Sequence, residues 1–596
     1  MRRRRTLGLA AATAAAALML AACSSGGSSS TSSGGSGSGS GSSSKAAYNS
    51  GITGIVNPST HKGGTLTYDW RSAPDSFDPG NTYYAADWDF ARYYSQALTT
   101  YKSCPGACGR QLVPGLATAL GQVGDNGLTW TYHLKSGVKF QDGTPVTSQD
   151  VKYAVERTFD RGVLSNGPSY FANLLGGNAK TYPGPYKNRS KNLMGLTAVT
   201  TPDPTTVVFH LAHPFSDFDY VVSIPQSAPV PPTKDTGASY QTHIDSTGPY
   251  EFQSYALNKT AVLVPNPNWN ASEDPTVSQL ASKIVVNMNM NPNDVDNRLL
   301  AGDAQVDFAG TGVQAAARAK ILSNPNLKAN ADDPVTGFGW FFYIDSQVAP
   351  FTNLACRQAI EYAANHLTLQ NAYGGPVAGG AIGSTSLPPT VAGYKKFDLY
   401  EATTKTQGDP AKAKQMLSAC GKPNGFSTGL AYRSDRPTET QGAQALQQAL
   451  AAVGIKLTLH GYPSSTYFSN FAGVPKYMSS HNIGLAMGGW GADWPDGYGF
   501  LDELVAGDTI VPAGNTNIGM LNDPVVNNLF TKAAGITDAT QRNAIWGQID
   551  MQVMKDAVIV PIVYAKALIY RPSTLTNVYF DQAYQLNNFA VQGVTG

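Results

Sequence analysis

Charge is what this sequence has least of. Only 14% of its 596 residues are Asp, Glu, Lys or Arg, against about 25% in ordinary soluble domains. A basic excess is missing as well. The formal net charge is +1, and without the four arginines of residues 1–22 it falls to −3, with 38 basic against 41 acidic side chains. Such a near-neutral body lacks the basic face that a nucleic-acid partner requires. Beyond the amino end, no apolar run reaches the ~18–20 residues of a spanning helix, which excludes a polytopic helical membrane protein. No period of 20–50 residues recurs, so solenoids and propellers are excluded. Catalytic signatures are absent too: there is no G-x-S-x-G elbow, H-E-x-x-H, phosphate-binding G-x-x-x-x-G-K-[ST] or EF-hand loop. The eight histidines are scattered. The close pair His210 and His213 falls on an expected strand, where residues three apart face opposite sides. Asp332-Asp333 and Asp217/Asp219 read as loop or turn residues. No metal, cofactor or catalytic constellation is therefore expected.

What is present begins with an address. Arg2 to Arg5 and the 16-residue apolar stretch Leu7–Ala22 have the n-region and h-region of an export signal. The stretch ends in Leu20-Ala21-Ala22-Cys23, similar to a bacterial lipobox, so Cys23 is the expected lipidation site and 1–22 the signal peptide. Acyl chains at ~0.8 kcal/mol per buried CH₂ would hold the protein on the outer face of the cell membrane. Ser24–Ser44 contains only Ser, Gly and one Thr. It buries nothing, and a tether over 23–61 is expected, its Ser/Gly part having a reach of about 25 Å.

Four cysteines remain beyond Cys23. Cys104 and Cys108 flank a Pro-Gly turn, and an oxidising compartment favours a local disulfide there. Cys356 and Cys420 sit on two expected helices, either paired or as buried thiols. A length near 600 residues implies at least two domains at ~150 residues each. Gly63–Tyr68 reads as an opening strand, and Asn126-Gly127 as a hairpin turn before the alternating Leu128–Leu134. Thr147 to Asp150 reads as a helix cap, as do Asn353 and Asp409-Pro410. Strands interleaved with helices argue an α/β or α+β architecture.

One segment stands out chemically. Gly488 to Gly497 places Trp490 and Trp494 around Asp493 in a Gly/Pro-rich turn. Such a loop suits a binding site, with indole walls and a carboxylate for a positive group. It suits equally a rigid turn packed on its own tryptophans.

The motifs in order then carry a resemblance. Gly63-Gly64-Thr65-Leu66, Phe77-Asp78-Pro79, the block Leu112–Arg157, Gly248-Pro249-Tyr250, Asn266-Pro267-Asn268-Trp269, Leu300–Asp307, Asp409–Ala413 and Trp490–Pro495 are together similar to the extracytoplasmic solute-binding proteins of ABC importers, family 5, the oligopeptide/dipeptide/nickel class. The resemblance implies a two-lobed periplasmic-binding-protein-like α/β fold with two crossing segments and a central ligand cleft. It places the first lobe at 62–336, the second at 337–566 and the return into the first at 567–596, with crossings near Thr336–Phe338 and Tyr564–Lys566. By the same resemblance Asp493 pairs with a peptide's α-ammonium and Trp490 lines a side-chain pocket. Trp494, Trp340, Arg71, Tyr83, Trp88 and Tyr564 are further cleft candidates, with core packing or, for Arg71, a surface ion pair as the competing role. Met487 stands where some relatives carry a carboxylate-binding arginine, so that partner is left unassigned.

The implied function is a non-enzymatic, monomeric, lipid-anchored receptor without cofactor. It captures a solute, foremost a short peptide, for permease subunits driven by separate ATPase subunits. An oligosaccharide, an opine-like compound or a metal chelate would fit the same fold. A surface hydrolase or adhesin is the reading from another class.

Overall fold

The structure is a computed structural model that describes residues 46–187, 195–272 and 274–595. The signal segment, Cys23 and the Ser/Gly run lie outside the described residues. The first sheet grows around the strand Thr65–Asp69, whose Leu66 and Tyr68 are completely buried. Parallel neighbours, Lys283–Asn287 and Val306–Asp307, flank it on either side. The hairpin of Tyr250–Ala256 and Thr260–Pro265 completes five strands. A separate antiparallel sheet takes Gln122–Gly124, Thr129–His133, Thr206–His210 and Val199–Asp203. Its first turn needs left-handed backbone at Asn126 and Gly127 (φ 56° and 91°), which Asn and Gly adopt at little cost. The helix Ser148–Arg157 follows, opened by a reciprocal Thr147–Asp150 capping box.

The second lobe is built on six strands, in the order Gly380–Ile382, Ile559–Lys566, Val335–Ile344, Ile483–Trp490, Ser427–Arg433 and Lys456–Tyr462. Every residue of Ile483–Trp490 is buried, as a strand covered on both faces requires. Phe342 and Ile344 face one apolar cluster with Leu485, Met487 and Val560, while Phe341 and Tyr343 face another. Two chain segments run side by side between the lobes. Ala331–Asp332 pairs antiparallel with Ile569–Tyr570, and the pairing continues from Val335 opposite Lys566 to Gly339 opposite Tyr564.

Ion pairs pin this double crossing. Asp332 accepts from Arg571 Nε at 2.7 Å and Asp333 from Lys566 at 2.8 Å. Asp333 lies in a loop, as the sequence suggests, and Asp332 in a strand, and both are buried partners of cations. Asp217 likewise pairs with Arg542 at 3.3 Å, and Asp219 accepts from the Gly121 amide and the Tyr132 hydroxyl. The tether also ends sooner than residue 61. The Asn49 amide donates to Ala331, Val56 bridges Val578, and Asn57 and Ser59 bond to Leu575 and Asn577. Tyr48, Ile52 and Val56 supply the apolar side chains that the Ser/Gly run lacks.

Both cysteine pairs are bonded, Cys104 to Cys108 and Cys356 to Cys420. The second joins the helices Leu354–Ala363 and Pro410–Ala419, capped by the side chains of Asn353 and Asp409. Its separation is 64 residues against 4 for the first. Loop-closure entropy scales with the logarithm of that span, giving about 4 kcal/mol for the long loop and about 2 for the short one. C356A/C420A is therefore expected to lower the urea midpoint more than C104A/C108A, and the reverse order would contradict the assignment.

Candidate functional site

The strands Ser427–Arg433 and Ile483–Trp490 lie side by side and parallel, so their carboxyl ends reach the same sheet edge. Open α/β sheets bind ligands at that edge. Here it delivers opposite charges: Arg433 and Arg436 from the first strand end, Asp493 from the second.

The turn after Trp490 is held rigidly. Asp493 N–H donates to Gly499 O at 2.8 Å, and Asp496 caps the helix Gly497–Val505 through the Tyr498 amide. Gln585 donates to Ala492 O at 2.9 Å, and a Cβ on Gly491 would sit 2.1 Å from the Gln585 amide oxygen. Asp493 Oδ2 accepts from the Tyr83 hydroxyl at 2.6 Å and from Tyr170 at 2.7 Å. Among the described residues no cation pairs with it. Burial pushes its carboxyl well above the usual carboxylate range, and the charge of Glu503 adds to this against the two hydroxyls. An ammonium group placed there would restore the ionised form. Trp88 stacks on Tyr83 (5.4 Å, 18°) and Trp490 meets Tyr83 edge-on (5.2 Å, 83°), so two indoles fix the tyrosine that holds the carboxylate.

Asp493 opens into the first of three cavities, with volumes of about 780, 770 and 860 Å³ including their mouths. Phe338, Tyr84 and Gln585 are common to the first and second, Trp70, Trp340 and Lys566 to the second and third, which makes one continuous cleft. Arg436 lines all three. Its Nε donates to Ser464 Oγ at 3.2 Å and its guanidinium lies 5.6 Å from the Tyr84 ring centre. Arg433, by contrast, is consumed by buried Glu439, to which its Nε donates at 2.8 Å. Burial and the neighbouring Arg433 charge lower the Arg436 pKa, so an incoming anion would be welcome.

Of the sequence candidates, Asp493, Trp490, Tyr83 and Trp88 gather at the first cavity and Trp340 at the second and third. Arg71 reaches the third, but spends its Nη2 on Asp307 at 2.7 Å, a buried pair and not a surface one. Trp494 is a correction. It is fully buried among Tyr170, Tyr220 and Tyr498, behind the wall that Asp493 faces. Tyr564 is another, because its hydroxyl turns away to bond the Ser384 and Thr385 amides and Thr385 Oγ1. Tyr170 and Arg436 were missed. A cation before a proline that starts a helix, just past a strand, was the available signal for Arg436.

A family model described as bacterial extracellular solute-binding proteins, family 5 (middle), matches residues 111–510. A solved structure of a clavulanic acid biosynthesis oligopeptide binding protein 2 shares 37% identity, covering 93% of this chain and 99% of that one, with a TM-score of 0.83. The glutathione-binding protein GsiB of Escherichia coli O1:K1 is 27% identical over 459 residues, 76% of this chain and 81% of that protein. At the level of fold alone, the periplasmic binding protein DppA from Helicobacter pylori, solved in complex with peptide STSA, superposes with a TM-score of 0.72 at 21% identity, covering 90% of this chain and 99% of that one. With two lobes, paired crossings and a cleft between them, this chain belongs to the bacterial extracellular solute-binding proteins of family 5.

Proposed function

We propose that the protein captures short peptides with a free amino end in its interlobe cleft and hands them unchanged to a membrane permease, whose ATPase subunits are separate. The observation that carries this is Asp493: a carboxylate without a cation among the described residues, held by two tyrosine hydroxyls and opening into a cleft that Arg436 lines throughout its length. An α-ammonium at Asp493 and an α-carboxylate at Arg436 would discharge both. At ~4 Å and an effective dielectric of ~20, each pair has a Coulomb energy of about 4 kcal/mol before desolvation is set against it. Trp490, Tyr83, Trp88 and Trp340 would line side-chain pockets. The relatives named for oligopeptide and glutathione binding support the peptide class.

In this reading lobe one comprises 46–336 and 567–596 and lobe two 337–566, a division supported by the paired crossing strands. Lipidation at Cys23 would hold the body, a monomer, at the extracytoplasmic face by the Ser/Gly run. The absence of a catalytic constellation in the sequence supports a receptor over a hydrolase.

Isothermal titration of trialanine, its N-acetyl form and its C-terminal amide tests the reading. Acetylation is expected to weaken binding at least 30-fold, and amidation about tenfold. R436Q should reproduce the amidation loss for trialanine and leave the amide unchanged. Equal affinity for all three ligands would overturn it.

A further inference from the structure

Every charged side chain in the lining of the third cavity is a cation. Arg71, Arg318, Arg436 and Lys566 line it, and no carboxylate does. The acids behind its wall are engaged: Asp307 with Arg71, Asp333 with Lys566, and Glu439 with Arg433. Asp296 accepts the Gln314 amide at 2.7 Å and forms no ion pair within 4.0 Å among the described residues. Two cations lack a close partner of their own. Arg436 reaches Glu439 at 3.9 Å, but that carboxylate is already held by Arg433, and Asp435 acts on it only from beyond 4.0 Å. Among the described residues Arg318 has no side-chain hydrogen bond or ion pair within 4.0 Å, and Asp296 faces it from farther off.

The backbone adds to the field. The helices Ala315–Ser323 and Pro437–Ala451 both begin at this cavity, with Ala315 and Thr438 in its wall, and neither N-cap side chain closes its helix. Their first-turn amides carry the positive end of each helix dipole. Arg71 is 7% exposed, and its Nε is buried without an acceptor. Burial depresses the Arg318 pKa, and the charge of Asp296 offsets this only in part.

We infer that the third cavity is a subsite for a second anionic group, so that the preferred ligand is a peptide with an acidic side chain near its carboxyl end. This rests on the peptide reading above. The α-carboxylate takes Arg436, and the side-chain carboxylate takes Arg318 with Lys566 and the Ala315 helix end. A neutral or basic side chain there leaves Arg318 unmatched or repels it, which is discrimination by an unmatched charge.

The test is titration of the full chain with Ala-Phe-Glu and Ala-Phe-Gln. The glutamate peptide is expected to bind at least tenfold tighter. In R318Q that preference should fall below twofold. Equal affinities in the wild type, or a preference that survives R318Q, would overturn the subsite. If neither peptide binds, the peptide reading itself fails, and glutarate then decides on the cavity alone. A rise in melting temperature that R318Q abolishes upholds the anion subsite, and no rise refutes it.

Discussion

D493N is expected to lose peptide binding roughly 30-fold or more without loss of fold. Removing one partner of a buried charge pair costs ~2–5 kcal/mol, and among the described residues this carboxylate has no cation of its own. The stability effect should have the opposite sign. Burial raises the Asp493 carboxyl well above its unfolded value, so the native state binds more protons than the unfolded chain between those two pKa values. Its contribution to stability therefore falls as pH rises through that window. Asparagine removes the titration and still accepts from Tyr83 and Tyr170. The ligand-free variant should thus melt at the wild-type temperature near pH 4 and at or above it at pH 8. Unchanged affinity in D493N would refute the ammonium assignment. A large drop in melting temperature would make Asp493 a structural residue.

R157M is expected to give the largest stability loss of any single substitution considered, about 3–5 kcal/mol in urea unfolding. Arg157 is completely buried. It forks onto Asp78 at 2.9 and 2.5 Å and reaches Asp235 at 3.0 Å, with its guanidinium 4.8 Å from the Tyr240 ring centre. Methionine fills the volume but strands two buried carboxylates. The deficit should shrink as pH falls, because protonation discharges them. R157K should recover only part of the loss, since an ammonium cannot make the fork. A loss below 1 kcal/mol would mean that the network carries no stability.

Asp78 and Arg157 also show what the sequence made legible. Phe77-Asp78-Pro79 and the block ending at Arg157 stood out as separate motifs 79 positions apart, and the structure brings their side chains together. Local signals read well: the Asn126-Gly127 turn, the Thr147–Asp150 box and the caps at Asn353 and Asp409 depend on neighbours a few residues away. The Asp493 loop was visible through its composition. Its two tryptophans were not separable, because which indole faces the cleft depends on Tyr170 and Tyr220, far off in the chain. Tyr564 was misassigned since its outward orientation is set by the Ser384–Thr385 loop. Arg436 escaped notice because its place follows from two parallel strands ending together, a pairing no short motif encodes. The third cavity's cations come from four separate elements, so their imbalance exists only in the folded chain.

In the function proposed above, the cleft holds a small guest by its free amino end and releases it intact. The most direct measurement is to incubate the purified chain with a mixed library of short peptides, their N-acetylated forms and oligosaccharides, remove unbound material by gel filtration, denature the protein and weigh what it releases. The expected result is a set of short peptides with free amino ends and unaltered masses, acidic ones enriched. Release of sugars or N-acetylated peptides in equal measure, or of fragments lighter than anything supplied, would contradict it.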